Sequence, residues 1–328
     1  MKSISLAIVG ATGAVGRKFL EVLEQRHVPI SKLVLFASSH SAGTTLIFKG
    51  QAHQVIELTE KTLIENAVSY ALFSAGATVS KTFAPLFATN GTIVIDNSSA
   101  WRMDKVVPLV VPEVNPQDAY SHQGIIANPN CSTIQAVVAL KPIHDIFPIK
   151  RVVISTYQAV SGAGQKGIDD LNNATTNKFP YPINRNVIPH IDVFLNNGNT
   201  KEEDKMIREM RKIMHLPDLK VSATAVRVPV YNGHSESINV EFENSYDLNR
   251  IREALASAPG VIVKDEPSSN DYPMPLYASG YDEVFIGRIR NDASLDHGLN
   301  MFVVADNIRK GAATNAIQIL ELLLQESR

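Results

Sequence analysis

Cysteine is almost absent from this chain: Cys131 is the one thiol in 328 residues. An intrachain disulfide framework is therefore excluded, and a reducing compartment fits. Apolar runs are short, none approaching the roughly 18 residues that a membrane-spanning helix needs. Met1 to Gly10 carries one lysine and a brief apolar stretch before a glycine loop, too little for a secretion signal, so a cytoplasmic location is expected. Neither sign of charge dominates, with 31 Lys and Arg against 33 Asp and Glu, and the formal net charge of −2 offers no general electrostatic reason to bind nucleic acid. Repeats and low-complexity tracts are missing, and no metal site is expected. What remains, 45% hydrophobic and 20% charged residues, is a globular chain long enough for two domains, with a small molecule as the expected partner.

The lone thiol sits in N-P-N-C-S-T. Pro129 disfavours helix at Asn128, whereas Ile134, Ala136, Val137, Val138 and Leu140 recur as a buried helical face, so a helix is predicted to begin near Cys131. Amide N–H groups at a helix start lack intrahelical partners, and the positive end of the macrodipole favours a thiolate over a thiol with the free value of about 8.5. An isolated cysteine is as readily a small buried hydrophobe. The polar, turn-like flanks Asn128, Asn130, Ser132 and Thr133 leave nucleophile and inert thiol level on local grounds.

At the start of the chain, Ile4, Leu6, Ala7, Ile8 and Val9 precede G-A-T-G-A-V-G, and Phe19, Leu20, Val22 and Leu23 follow with helical spacing. Strand, glycine turn and helix in that order suit a dinucleotide pyrophosphate resting on helix N–H groups, although the glycine spacing differs from G-x-G-x-x-G. Apolar segments then alternate with helical ones: strands at Leu33–Ala37, Tyr70–Ala75, Ile93–Ile95 and Gly124–Ala127, helices near Thr62–Glu65 and Lys81–Thr89. The fold class is α/β, with an N-terminal Rossmann-like, doubly wound parallel sheet. Cofactor contacts are expected from Gly10, Thr12, Gly13, Ala14 and Val15 in the loop, and from Ser74, Ala75, Gly76 and Asn97 at later strand ends. After the second strand no carboxylate appears. Ser38, His40 and Ser41 instead offer donors to a 2′-phosphate, pointing to NADP.

The second half reads as an α+β domain with a mixed sheet. Strands are predicted at Arg151–Ala159, Val221–Val230, Ser237–Phe242, Val261–Lys264, Phe285–Arg290 and Met301–Ala305. Helices are predicted at Lys201–Met214 and Leu248–Ser257. Between the first of these strands and the first helix, Asp170 to Asn199 is polar, rich in Asn and Pro, and reads as loop or interface without chemistry. A final amphipathic helix, Lys310–Gln325, is expected to return to the first domain. The domains so defined are 1–130 with 308–328 for the cofactor, and 131–307 for catalysis and dimerisation.

Taken together, these pieces resemble the bacterial aspartate-β-semialdehyde dehydrogenases over essentially the full length. The matching stretches are G-A-T-G-A-V-G at Gly10, N-P-N-C-S-T at Asn128, S-T-Y-Q-A-V-S-G-A-G at Ser155, R-V-P-V-Y-N-G-H-S-E-S with Arg227 and His234, and D-N-I-R-K-G-A-A at Asp306. The resemblance implies NADPH-dependent reductive dephosphorylation of L-aspartyl-4-phosphate to L-aspartate 4-semialdehyde and phosphate. That step leads to lysine through diaminopimelate, and to threonine, methionine and isoleucine. It also implies a homodimer or a dimer of dimers, and cofactor contacts from Ser161, Gly162 and Asn307.

The residues suit that chemistry. Reduction of an acyl phosphate through a thioester needs a thiolate, which Cys131 supplies. By resemblance His234 is the acid/base group, although a histidine after the Asn232–Gly233 turn reads locally as an exposed loop residue. By the same resemblance Gln158 orients the acyl group, Arg227 pairs with the α-carboxylate and Glu209 with the α-ammonium. Arg102, Lys212 and Asn130 take the phosphate. One departure concerns His40, where many bacterial relatives carry arginine; an imidazole is a weaker, pH-dependent phosphate partner, so relaxed discrimination against NAD is expected. Two alternatives stay open at this stage. An N-acetylglutamyl-phosphate reductase shares the chemistry but typically reads N-P-G-C-Y-P-T at the nucleophile, and a silent nucleotide-binding paralogue would be expected to have lost Cys131.

Overall fold

The apolar run after Ser3 forms β1 (Ile4–Val9) in the computed structural model, which describes residues 3–326. Five of its six residues are buried, and the chain leaves it at Gly10 with φ +84°. A Cβ at Gly10 would lie 2.6 Å from the Ser74 carbonyl oxygen, and one at Gly16 only 2.2 Å from that of Gly10. The first and third glycines therefore allow close backbone approach. Helix α1 (Ala14–Gln25) then buries Phe19, Leu20, Val22 and Leu23, the face its spacing predicts.

The remaining strands of this sheet are β2 (Ile30–Ala37), β3 (Thr45–Phe48), β4 (Gln51–Glu57), β5 (Tyr70–Phe73), β6 (Ile93–Asp96) and β7 (Ile125–Ala127), with α2 (Glu60–Glu65) and α3 (Ala77–Thr89) between them. Their order, β3-β4-β2-β1-β5-β6-β7, is parallel apart from the antiparallel β3–β4 hairpin. That hairpin was not anticipated. Its turn, Lys49–Gly50, has φ of 49° and 73°, the left-handed pair whose twist matches two paired strands. Because β2 and β5 flank β1, the order reverses there, and Gly10 and Ser74 to Gly76 stand at the carboxyl ends where such sheets bind ligands. The C-terminal helix, Thr314–Glu326, completes this unit by burying Ile317, Leu320, Leu323 and Leu324 among side chains of β1 and α1. A π-helical turn, Arg309–Ala313, precedes it, where a regular helix from Lys310 was expected.

The second unit, Asn130–Gly311, contains α4 (Cys131–Ile146), β8 (Ile149–Gln158), α5 (Gln165–Asn173), α6 (Lys201–Ile213), β9 (Lys220–Arg227), β10 (His234–Phe242), α7 (Leu248–Ser257), β11 (Val261–Val263), α8 (Pro275–Ala278), β12 (Val284–Asp292) and β13 (Gly298–Ala305). Its mixed sheet runs β11-β12-β13-β10-β8-β9, with β8–β9 and β11–β12 parallel and the other pairs antiparallel. Strand alternation buries Val152, Ile154, Thr156 and Gln158 of β8 and turns Tyr157 outward, whereas Lys150 is exposed where the register with β10 shifts between Arg151 and Ile149.

The polar stretch after Asp170 is more ordered than its composition suggests. Phe179, Ile183 and Ile188 form a small core with Val160 and Ile168. Asp170 is buried and accepts from Thr175 Oγ1 and from the backbone N–H groups of Asn177, Lys178 and Phe179. Burial alone would raise its pKa, but these four bonds outweigh it and lower the carboxyl from 3.8 to about 2. Stability from this contact is present above the unfolded value and is lost as pH falls from about 4 toward 2. Asp170→Asn should therefore lower Tm at pH 6, with the gap to wild type narrowing as pH falls from 5 to 3; a pH-independent gap in differential scanning fluorimetry would contradict this account.

Candidate active site

Helix α4 begins at Cys131 because Asn130, in extended conformation with φ −62° and ψ 143°, caps it. Its Oδ1 accepts from the N–H groups of Ser132 at 3.0 Å and Thr133 at 3.2 Å, a contact that contributes about 1 kcal/mol to a helix. Cys131 is half-buried, at the first helical residue, where the macrodipole favours a thiolate.

Sheet register brings the partners together. Gln158 ends β8 opposite Arg227, which ends the parallel β9. The antiparallel β10 pairs Ser235 with Tyr157, so His234 opens that strand beside Gln158. Three residues separated by as much as 76 positions in sequence thus share one end of the sheet. His234 is fully buried, contrary to the exposed loop that its local sequence suggests.

The state of His234 follows from its neighbours. Nδ1 accepts from the Ala159 N–H at 3.0 Å, so the ring's proton resides on Nε2, a buried atom without a hydrogen-bond partner among the described residues. Burial, and then the Arg227 charge, lower its pKa to about 3 despite the opposing influence of Glu202. The ring is neutral at physiological pH. Arg227 donates from Nη1 to the Ala159 carbonyl at 2.6 Å, lies over the Phe179 ring and leaves a buried Nε without a partner among the described residues. Desolvation lowers its pKa, opposed by Glu202 and Cys131, and a buried guanidinium with a spare donor suits an anionic ligand.

Glu209 and Asn130 are joined: the buried carboxylate accepts the Asn130 N–H at 2.6 Å. Lys212 lies half-buried in the last turn of α6. Arg102 belongs to the first unit, where Nε donates to the Asn128 carbonyl at 3.0 Å and Nη2 to that of Asn97 at 2.9 Å. Two residues here went unnoticed in the sequence. Glu202 accepts from the side chains of Asn130, Gln158 and Lys205, although it reads as an ordinary solvated charge on a helix. Gly311 lies against the nucleophile: a Cβ there would be 2.9 Å from that of Cys131. Glu236, two positions after His234 and on the same face, is fully buried with neither oxygen hydrogen-bonded, and burial raises its pKa well above the usual range despite the nearby Gln135 amide.

The cofactor residues fall into two groups. In the first unit Gly13 caps α1 without a side-chain bond, no acidic residue occupies that first turn, and Gly13 and Ala14 are exposed beside the half-buried Thr12 and Val15. Open amides of this kind fit a pyrophosphate. Gly76, which caps α3 with φ +83°, is likewise open: a Cβ there would meet nothing within 4 Å. It follows the half-buried Ser74 and Ala75. Ser38 and His40 are exposed and Ser41 half-buried in the turn after β2. Asn97 is engaged, its Oδ1 accepting from Asn128 Nδ2 at 2.7 Å. In the second unit Asn307 Nδ2 donates to Ser161 Oγ at 2.9 Å, and its Oδ1 takes the Gly233 N–H at 2.8 Å, pinning the turn before His234. Gly162 covers His234 and Arg227, since a Cβ there would lie 3.1 Å from His234 Nε2 and 3.3 Å from Arg227 Nη1.

Comparison with known proteins agrees with this architecture. Residues 5–122 match the semialdehyde dehydrogenase NAD binding domain, and residues 140–310 the semialdehyde dehydrogenase dimerisation domain. The chain is 59% identical to aspartate-semialdehyde dehydrogenase of Aquifex aeolicus and 47% identical to that of Bacillus subtilis, with 98% of each chain covered in both comparisons. Aspartate semialdehyde dehydrogenase II of Vibrio cholerae, whose structure is also known in complex with ASA, superposes with a TM-score of 0.94 at 45% identity over 99% of both chains. The Candida albicans enzyme, solved with NADP, gives 0.79 at 28% identity over 98% of both. Fold and site together define a two-domain semialdehyde dehydrogenase. More narrowly, the chain belongs to the aspartate-semialdehyde dehydrogenase family.

Gly311 and Gly162 supply a test of the site's geometry. Gly311→Ala forces the α4 start to shift and should lower kcat on the order of 100-fold, while Gly162→Ala, a milder crowding of His234 and Arg227, should fall between that and wild type. Steady-state kinetics beside Tm would show whether activity is lost with the fold intact.

Proposed function

We propose that this chain reduces L-aspartyl-4-phosphate to L-aspartate 4-semialdehyde and phosphate with NADPH, through a thioester on Cys131. The observation carrying this reading is the constellation at the end of the second sheet: a half-buried thiol at a helix start, with a neutral buried imidazole and a buried guanidinium on the two strands that flank β8.

The Cys131 thiolate attacks the acyl carbon, the carbonyl electrons move onto oxygen, and on collapse the carbon–oxygen bond to phosphate breaks, leaving the thioester. The departing phosphate takes up a proton from solvent. His234 donates a hydrogen bond from Nε2 to the oxygen while it is negative. Because the oxygen is never fully protonated in this sequence, a neutral imidazole suffices, and the Ala159 N–H keeps it in the required tautomer. Arg227 holds the substrate carboxylate, Glu209 the ammonium, Gln158 the acyl group, and Arg102, Lys212 and Asn130 the phosphate. Gly10, Thr12 to Val15, Ser74 to Gly76 and Asn97 would hold NADPH, with Ser38, His40 and Ser41 toward the 2′-phosphate and Ser161, Gly162 and Asn307 completing the set; when bound, it would supply the hydride that reduces the thioester, whose carbon–sulfur bond breaks to release the aldehyde and return the Cys131 thiolate. We further propose a cytoplasmic homodimer, or a dimer of dimers, in keeping with the dimerisation-domain match over residues 140–310.

In a phosphate-dependent assay that oxidises aspartate semialdehyde and follows NADPH formation, Cys131→Ser should lose at least about 1,000-fold in kcat; undiminished activity would falsify the thioester route. His234→Gln retains a donor near the Nε2 position and should keep more activity than His234→Leu, for which loss of the oxyanion donor is worth roughly 100- to 1,000-fold. With both cofactors measured, His40→Arg should raise the kcat/KM ratio of NADPH over NADH; an unchanged ratio would remove His40 from the 2′-phosphate site.

A further inference from the structure

Glu202 has no part in the roles assigned above, yet it joins two residues beside the nucleophile. The residue is 5% exposed, and Oε1 accepts from both Asn130 Nδ2 at 2.9 Å and Gln158 Nε2 at 3.1 Å. Lys205 Nζ donates to Oε2 at 2.9 Å and, at the same distance, to Asp192 Oδ2.

A side-chain amide has two ends of almost equal size, one donating and one accepting, so packing alone distinguishes them poorly. An ionised carboxylate only accepts. It therefore draws the nitrogen end of both amides toward itself. For Asn130 this leaves Oδ1 to cap α4. For Gln158 the nitrogen also meets Thr156 Oγ1 at 3.2 Å, so both of its protons are engaged and the carbonyl oxygen is the end left for a ligand.

We propose that Glu202 is a positioning residue for the reaction: as a carboxylate it makes Gln158 an acceptor toward the substrate and holds Asn130 in place at the start of the nucleophile helix. Gln158 is thereby removed as an oxyanion donor, a task left to His234 Nε2, and its oxygen suits the substrate's α-ammonium, shared with Glu209. This role rests on the function proposed above.

The ionisation of Glu202 has an identifiable support. Around it stand Lys205 on its own helix, Asp192 beyond Lys205, Arg227 on β9 and His234 on β10, with Glu209 on the far side of Asn130. Burial would raise its pKa, but the Lys205 charge and hydrogen bonds reverse that and lower it from the usual carboxylate value. Loss of the cation must raise it, so that Glu202 takes a proton at higher pH and Gln158 becomes free to turn over.

The test uses the full chain, with Glu202→Gln and Lys205→Met beside wild type. In the semialdehyde oxidation assay Glu202→Gln should lose about 10- to 100-fold in kcat with KM changed less, at a Tm close to wild type. Lys205→Met should move the acid limb of kcat to higher pH, and in Glu202→Gln that limb should vanish. Wild-type kcat and pH profile in both variants would overturn the proposal. A second readout does not need activity. In protein carrying 15N-labelled glutamine, the Gln158 side-chain resonances, identified by their loss in Gln158→Leu, should titrate below the ordinary carboxylate range in wild type and at higher pH in Lys205→Met. Titration unaffected by Lys205→Met also overturns it. Should the wild type fail to oxidise aspartate semialdehyde while these resonances behave as expected, the substrate assignment falls and the positioning of the amide stands.

Discussion

The register of β8, β9 and β10 is the constraint on which the site depends. Strand pairing sets Gln158 between Arg227 on one side and the start of β10 on the other. A slip of one residue in any of the three would turn a functional side chain to the opposite face of the sheet, because side chains alternate with a period of two. The alternating apolar residues of β8 and β10, buried under α4, oppose that slip. Packing of the core and placement of the chemistry are thus one event.

Burial then decides the charge states. His234 and Glu236 face the same interior, where burial disfavours charge on both, lowering the pKa of the base and raising that of the acid. Arg227 and Glu202 keep opposite charges in comparable burial, each easing the desolvation of the other, with Lys205 as a further cation. The Ala159 backbone serves two of these groups at once, its N–H fixing the imidazole tautomer and its carbonyl accepting from Arg227. A backbone group cannot change rotamer, so it orients both side chains more firmly than another side chain would.

The first unit uses backbone geometry for a different end. Glycine at positions 10 and 16 admits contacts that any Cβ would block, and the uncapped amides after Gly13 stay exposed in a turn whose remaining atoms are tightly packed. The segment after Asp170 shows the converse, a polar stretch ordered by one buried carboxylate and a few apolar side chains, with Phe179 supporting Arg227 from below.

Local chemistry was legible in the amino-acid order. Pro129 and Asn130 marked the start of α4, the glycine turn marked the end of β1, and apolar periodicity marked most strands and the helices α6 and α7 within a few residues. These features arise from neighbours within a turn or two, which a reading of sequence captures. The Lys49–Gly50 hairpin was missed because Lys49 adopts a left-handed conformation, rare for a residue with a Cβ, at the turn between two strands that pair. Burial of His234, the proton on its Nε2, the carboxylate of Glu202 between two amides and the approach of Gly311 to Cys131 were decided by the tertiary structure. Each depends on groups tens to hundreds of residues apart, whose desolvation and hydrogen bonding exist only after the chain has folded.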